Sequence, residues 1–271
     1  MGEQLSELAA LASVLTGMRA IAVAVSGGVD SLTLATHAHR LLPQRVTMFH
    51  AVSPAVPDEA TQRTRALAGR EGWALQVIDA GEFGDPEYMR NPVDRCFYCK
   101  TNLYGAIRPH TETQIVSGTN LDDLGEYRPG LIAAQRYGVR HPFVEAAMTK
   151  RQVRALAREL GLAEIAELPA SPCLSSRVET GIAIDPAVLG AIHAVERLVS
   201  EALRPRTVRC RVRAGAVVIE LDEAALAALD ATRRDVLSEQ IVGHFGRTGV
   251  RAPVRFEVYR TGSAFLHFKP G

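Results

Sequence analysis

At 271 residues the chain is long enough for one large domain or two modest ones, and its 47% hydrophobic content supplies a core without disulfide staples. Lysine plus arginine number 31 against 30 aspartate plus glutamate, so no whole-molecule field draws the protein to nucleic acid or to an anionic membrane, and any basic site must be local. No apolar run approaches the roughly 20 residues that cross a bilayer; residues 1–25 carry Glu3 and Glu7 and lack a basic start ahead of an apolar core, which predicts a cytoplasmic protein with reduced thiols.

The first β-rich run, residues 20–25, leads into Ser26-Gly27-Gly28-Val29-Asp30-Ser31, and a helix is expected over 32–41. Two glycines let the backbone approach an anion, the following amides and the helix N-terminus point at it, and Ser26 and Ser31 add hydroxyls. No lysine follows the second glycine, so this is not the loop that grips terminal phosphates for hydrolysis. Asp30 lies among phosphate charges and is expected to organise Mg2+ or its waters rather than act as a base.

Strands are expected over 45–52, 74–78 and 114–117, with a helix over 60–71, an order that predicts a parallel sheet with crossover helices. Cys96 and Cys99 form a C-x2-C that can bring two thiolates to one metal. Asn120, Asp122 and Asp123 follow the strand at 114–117, at the carboxyl edge where doubly wound sheets bind ligands; they read as ligands for Mg2+ or the nucleotide, or as an Asx-rich turn. A helix over 150–160 is announced by the capping pair Thr149 and Gln152 and stopped by Gly161, with Lys150 in its first turn a candidate for pyrophosphate or a solvated lysine.

Cys173 stands in a proline- and serine-flanked segment, and three thiolates that leave one iron open favour a 4Fe-4S cluster over zinc, whose structural sites take four ligands. The pattern changes after Gly181: a helix over 186–203, a hairpin over 207–213 and 216–221, helices over 223–229 and 233–244, and a strand over 254–259 predict a smaller α+β domain over 181–271, following a first domain over 1–180. Cys210 alternates with Arg209, Arg211 and Arg213, which places it with Val212 on the opposite strand face, as a core thiol rather than a fourth ligand.

Seven motifs occur in order: SGGVDS at Ser26, NPVDRCFYCK at Asn91, SGTNLDD at Ser117, YRPG at Tyr127, TKRQVRALARELGL at Thr149, PASPCLSSR at Pro169 and YRTGS at Tyr259. Through them the chain, from Ala20 to about Ser263, resembles the LarE family of ATP-dependent sulfur transferases, a branch of the PP-loop ATP pyrophosphatases. The resemblance implies adenylation of a carboxylate of pyridinium-3,5-dicarboxylate mononucleotide and its conversion to a thiocarboxylate, in the making of a nickel-pincer nucleotide. It further implies ATP and Mg2+ as cofactors, a small-molecule nucleotide carboxylate as partner, and a homo-oligomer, a hexamer in relatives. Single-cysteine members give up the sulfur of the cysteine corresponding to Cys173. Members that also carry the C-x2-C hold a 4Fe-4S cluster and pass on an extra sulfide, and this chain resembles the second kind.

On that resemblance Ser26, Gly27, Gly28, Val29, Asp30, Ser31, Asn120, Asp123 and Lys150 bind the nucleotide and its metal. Cys96, Cys99 and Cys173 hold the cluster, and Cys173, Asp30 and Arg177 serve the chemistry, Arg177 by favouring the thiolate. Arg209 and Arg211 suit the phosphate of a mononucleotide substrate, or are strand arginines without a ligand. The competing readings are a PP-loop tRNA thiolase, which calls for a broad basic face; an amidotransferase-type synthetase, which has no use for the three cysteines; and a non-catalytic zinc- or nucleotide-binding regulator.

Overall fold

The computed structural model describes residues 2–125, 128–170 and 172–260. Tyr127, Ser171 and Thr261 to Ser263 of the sequence motifs lie outside them. The chain divides into two compact units: Met1–Phe83 with Asp94–Ser171, and Gly84–Val93 with Pro172–Gly271. The sequence reading put a single boundary near 180; the second unit here begins at 172 and also takes in 84–93.

The first unit is built on a four-stranded parallel sheet of β1 (Ile21–Ala24), β2 (Val46–Val52), β3 (Ala74–Asp79) and β4 (Gln114–Ser117), in the order β3-β2-β1-β4. Parallel neighbours require crossovers, supplied by helices Val29–Leu41, Asp58–Glu71 and Arg95–Ile107. The central strand β1 is buried along its length because its alternating side chains feed two cores. Ile21 and Val23 pack with Leu32, Leu34, Phe143 and Leu156, and with Leu11 and Leu15 from helix Gly2–Thr16. Ala22 and Ala24 pack with Phe49, Tyr104, Ile107 and Ile115 on the other face.

Strands β1, β2 and β3 step outward one way and β4 lies on the opposite side of β1, so the order reverses between β1 and β4. The carboxyl ends of strands at such a reversal are the place where sheets of this kind bind ligands. Helix Lys150–Glu159 closes the unit against the helix following β1, burying Val153, Leu156 and Ala157. The Thr149 N–H donates to Gln152 Oε1 at 2.7 Å, the reciprocal bond of the expected capping pair.

The second unit packs helix Pro186–Leu203 against β5 (Val208–Arg213) and helix Ala231–Phe245. Asp185 caps the first helix by accepting from Ala187 N–H at 2.7 Å, and Pro186 suits its first position. Its Leu189, Ile192, Val195 and Val199 are fully buried, as the helical spacing predicts. β5 forms a hairpin with β6 (Ala216–Leu221), and β7 (Val254–Val258) joins β6 in parallel, so the small sheet is mixed. The fold class is the expected one, a doubly wound parallel α/β sheet with a smaller α+β unit.

Candidate active site

The loop after β1 folds onto itself through its two serines. Ser31 Oγ accepts from Ser26 N–H at 3.1 Å, donates to the Gly28 carbonyl at 3.2 Å, and lies 3.1 Å from Ser26 Oγ. Gly28 occupies the N-cap position of helix Val29–Leu41 with no side-chain cap. The helix start is therefore left open to an external acceptor, the arrangement that binds anions. Buried His50 braces the loop from behind: its Nδ1–H donates to the Val25 carbonyl and its Nε2 accepts from Thr61 Oγ1, both at 2.9 Å. Burial holds this ring below the usual histidine range, in keeping with the neutral tautomer those bonds require.

The candidates after β4 come to the same place. Asn120 Nδ2 donates to Asp30 Oδ1 at 3.3 Å, and Lys150 Nζ forms an ion pair with the other Asp30 oxygen. Asp122 Oδ2 accepts from Lys150 N–H at 2.8 Å, Asp123 Oδ2 accepts from Asn120 N–H at 3.1 Å, and Asp123 pairs with Arg128 at 2.8 Å. The approach depends on Gly118, where a Cβ would fall 2.7 Å from the Ser31 nitrogen and 2.8 Å from the Asp30 carbonyl carbon. Ser26 to Ser31, Asn120, Asp122, Asp123 and Lys150 thus form one cluster beyond the carboxyl ends of β1 and β4, with oxygens of the type a hard cation takes and an ammonium of the type a phosphate takes. His141, which sequence reasoning did not single out, lies beneath it with Nδ1 2.8 Å from Ser117 Oγ. Burial holds this ring too below its ordinary range, against the pull of Glu145.

Cys96 and Cys99 lie in the first turns of helix Arg95–Ile107, three positions apart and hence on one face; Cys96 is exposed and Cys99 half-buried. Arg136, on helix Pro129–Arg136, lies over the Phe97 ring at 4.6 Å, and Phe97 meets Tyr98 edge-on at 5.3 Å. These contacts fix the segment between the two thiols.

Half-buried Cys173 stands in the second unit, directly before the single turn Leu174–Arg177. Arg177, only 2% exposed, donates from Nη1 to the carbonyls of Pro172 at 2.6 Å and Cys173 at 3.2 Å. Its Nε and Nη2 grip both oxygens of Glu196 at 2.9 and 3.1 Å. The sequence placed Arg177 beside the thiol; in the structure its guanidinium holds the backbone that carries the thiol. Arg211 is also buried: it pairs with Glu220 at 3.0 Å and donates to the Ser176 carbonyl at 2.9 Å, tying β5 to the same turn. Arg213 shares Glu220 at 2.8 Å. Arg209 is half-buried, donates to its neighbour's Val208 carbonyl at 2.7 Å and lies 5.9 Å from the Tyr259 ring. Cys210, on the opposite strand face, is fully buried, and burial, with Glu196 beside it, raises its thiol well above the usual range, the behaviour of a core thiol.

Four further residues support the Cys173 turn and carry no sequence signal of that role. Tyr88 Oη lies 2.7 Å from Ser175 Oγ in the interior, and Asn91, in a left-handed conformation at φ 55°, donates from Nδ2 to the carbonyls of Glu179 and Ile182, each at 2.9 Å. Glu196 and Glu220 supply the counter-charges. The structure therefore assembles the nucleotide candidates within the first unit and Cys173, Arg177, Arg209 and Arg211 within the second, while Cys96 and Cys99 belong to the first. Among the described residues no group of three His, Cys, Asp or Glu side chains is placed to hold a metal ion. Nor is any described helix long and apolar enough to cross a membrane.

No protein-family model matches the chain. It is 37% identical over 163 residues to an uncharacterised protein of Synechocystis, a match covering 59% of this chain and 60% of that one, so it spans about three-fifths of that relative's length. It is 30% identical over 223 residues to the pyridinium-3,5-bisthiocarboxylic acid mononucleotide synthase of Lactiplantibacillus plantarum, covering 80% of each chain. An uncharacterised protein of Methanocaldococcus jannaschii matches at 26% identity over 249 residues, 89% of this chain and 91% of that one.

Proposed function

This chain belongs to the LarE family, that of the pyridinium-3,5-bisthiocarboxylic acid mononucleotide synthase, and on that premise we propose that it is an ATP-dependent sulfur transferase of nickel-pincer cofactor biosynthesis. Its substrate is a pyridinium dicarboxylate mononucleotide, and it works in the cytoplasm as a homo-oligomer. The observation that carries the reading is the meeting of an uncapped helix start, Asp30, Asn120, Asp123 and Lys150 in one cluster.

In this reading Ser26 to Ser31 and the open amides of helix Val29–Leu41 receive the phosphates of ATP. Asp30, with Asn120, Asp122 and Asp123, would hold Mg2+, which when bound would neutralise phosphate charge, and Lys150 would offer its ammonium to the pyrophosphate. A substrate carboxylate oxygen attacks the α-phosphorus, the bond from that phosphorus to the bridging oxygen breaks, and pyrophosphate leaves. The step is needed because a carboxylate repels nucleophiles and has no leaving group, whereas the acyl adenylate has AMP. A sulfur nucleophile then attacks the acyl carbon, the bond to the AMP oxygen breaks, and thiocarboxylate and AMP are released.

Arg177 and Arg211 hold the Cys173 turn, and Arg209, two residues from Arg211 on β5, faces the phosphate of the substrate. Cys96, Cys99 and Cys173, three thiols with solvent access, would be the ligands of a 4Fe-4S cluster, which when bound would supply a transferable sulfide. Without it the Cys173 thiolate is the nucleophile: its attack on the acyl carbon gives a thioester, and loss of the Cα proton with cleavage of the Cβ–Sγ bond then frees the thiocarboxylate and leaves dehydroalanine at 173. Anaerobic purification with iron and sulfide analysis, followed by a pyrophosphate-release assay, tests the proposal. About four irons per chain are expected, as one cubane requires, with AMP and pyrophosphate formed only when the carboxylate is present. Absence of carboxylate-dependent pyrophosphate release overturns the reading.

A further inference from the structure

We infer that Arg63 is a positioning and pyrophosphate-binding residue of the loop after β1, holding the Gly27 carbonyl outward and presenting its remaining N–H groups to the phosphate chain. The inference rests on the ATP-dependent reading and adds to it a residue from a different part of the chain. Arg63 belongs to helix Asp58–Glu71, which packs its first turn directly under the loop. A Cβ at Gly27, where φ is 81°, would fall 2.7 Å from the Ala60 carbonyl oxygen and 2.9 Å from its Cβ. Arg63, three positions on and therefore on the same helix face as Ala60, donates from Nη1 to the Gly27 carbonyl oxygen at 2.6 Å.

The consequence for the loop follows from the planarity of the trans peptide. The carbonyl of Gly27 and the N–H of Gly28 belong to one peptide unit and point in opposite directions. With the carbonyl drawn to Arg63, the Gly28 N–H points the opposite way, where it donates to Ser26 Oγ at 3.4 Å. Released, the same peptide is free to flip and present a partial negative charge to an incoming phosphate.

A carbonyl anchor alone uses one of the five N–H donors of a guanidinium. Among the described residues the other donors of Arg63 have no acceptor, and Glu59 acts on the group only through space. Half-buried, the guanidinium keeps its charge although burial lowers its proton affinity. Lys150, the ammonium of the cluster around Asp30, is by contrast paired with that carboxylate. The loop lacks a lysine of its own, so Arg63 brings to it the charge that its own sequence omits.

The test compares wild type with Arg63→Met and Arg63→Lys, each checked for its thermal melt. The readouts are calorimetric binding of magnesium pyrophosphate, the KM for ATP and the KM for the carboxylate. Arg63→Met is expected to weaken pyrophosphate binding and raise the ATP KM by about tenfold or more, the scale of a charge-assisted hydrogen bond, with the carboxylate KM unmoved. Arg63→Lys restores part of the pyrophosphate affinity through its charge and stays below wild type for want of the fork. Pyrophosphate binding as in wild type in either variant overturns the inference and leaves the ATP-dependent reading standing. A wild-type protein that binds neither ATP nor pyrophosphate overturns both.

Discussion

Two side chains at the residue scale separate the two halves of the proposed chemistry. Asp30 lies in the first unit in contact with Lys150 and Asn120, and Cys173 lies in the second unit on a turn held by Arg177. Replacing Cys173→Ser should lower thiocarboxylate formation by about three orders of magnitude or more, the scale on which losing a nucleophile acts, while carboxylate-dependent pyrophosphate release persists. Parallel assays of sulfur transfer and pyrophosphate check this; loss of both together would place Cys173 in the adenylation step. The loop of Ser26 to Ser31 was legible in the sequence because an anion site made of consecutive residues is a local pattern. The burial of Arg211 was not, since the counter-charge that permits it, Glu220, comes from the neighbouring strand and nothing in the spacing of the arginines reports it.

Among the elements, helix Arg95–Ile107 was the hardest to read. Only Arg95, Tyr104 and Ile107 of its thirteen residues are buried, and its N-cap Asp94 makes no side-chain capping bond, so neither apolar period nor start signal marks it. Helix Pro186–Leu203 was the easiest, with four apolar residues at helical spacing and Asp185 before a first-position proline. The hairpin of β5 and β6 was legible as well, but its internal charge pairing was not. Glu220, 1% exposed, serves both Arg211 and Arg213, and through Arg211 it secures the Ser176 carbonyl. Glu220→Ala leaves two arginines without their shared partner, and should destabilise the second unit by about 3–5 kcal/mol, the penalty for breaking a buried pair. Chemical denaturation followed by circular dichroism reads this, and an unchanged midpoint would count against the pairing as a structural tie.

For the whole molecule, the parallel sheet and the fold class followed from the alternation of strand and helix, whereas the strand order β3-β2-β1-β4 did not, because alternation leaves open on which side of β1 each strand is added. The path of the chain between the units did not, because residues 84–93 join the second unit through bonds from Tyr88 and Asn91 to residues far along the sequence. The first unit also holds buried His50 and half-buried His37 and His141, each kept below its ordinary value of 6.5 by desolvation. An unfolded chain takes up these protons at a higher pH than the folded one, so stability rises with pH across the window below 6.5 and is whole above it. The melting temperature should therefore fall as pH drops from 7 towards 5, and His50→Asn should flatten that slope. A slope identical in the variant would show that His50 is not among its sources.

The excursion of residues 84–93 gives the chain three crossings between units, at Phe83–Gly84, Val93–Asp94 and Ser171–Pro172. A gene cut at the last of these would yield a first fragment trailing an orphaned strap, and a second fragment missing the tyrosine and asparagine that buttress its sulfur-bearing turn. Insertions, fusions and swaps between relatives that treat the protein as two beads on one string should fail for that reason, whereas exchanges that carry 84–93 along with the C-terminal portion keep each piece whole.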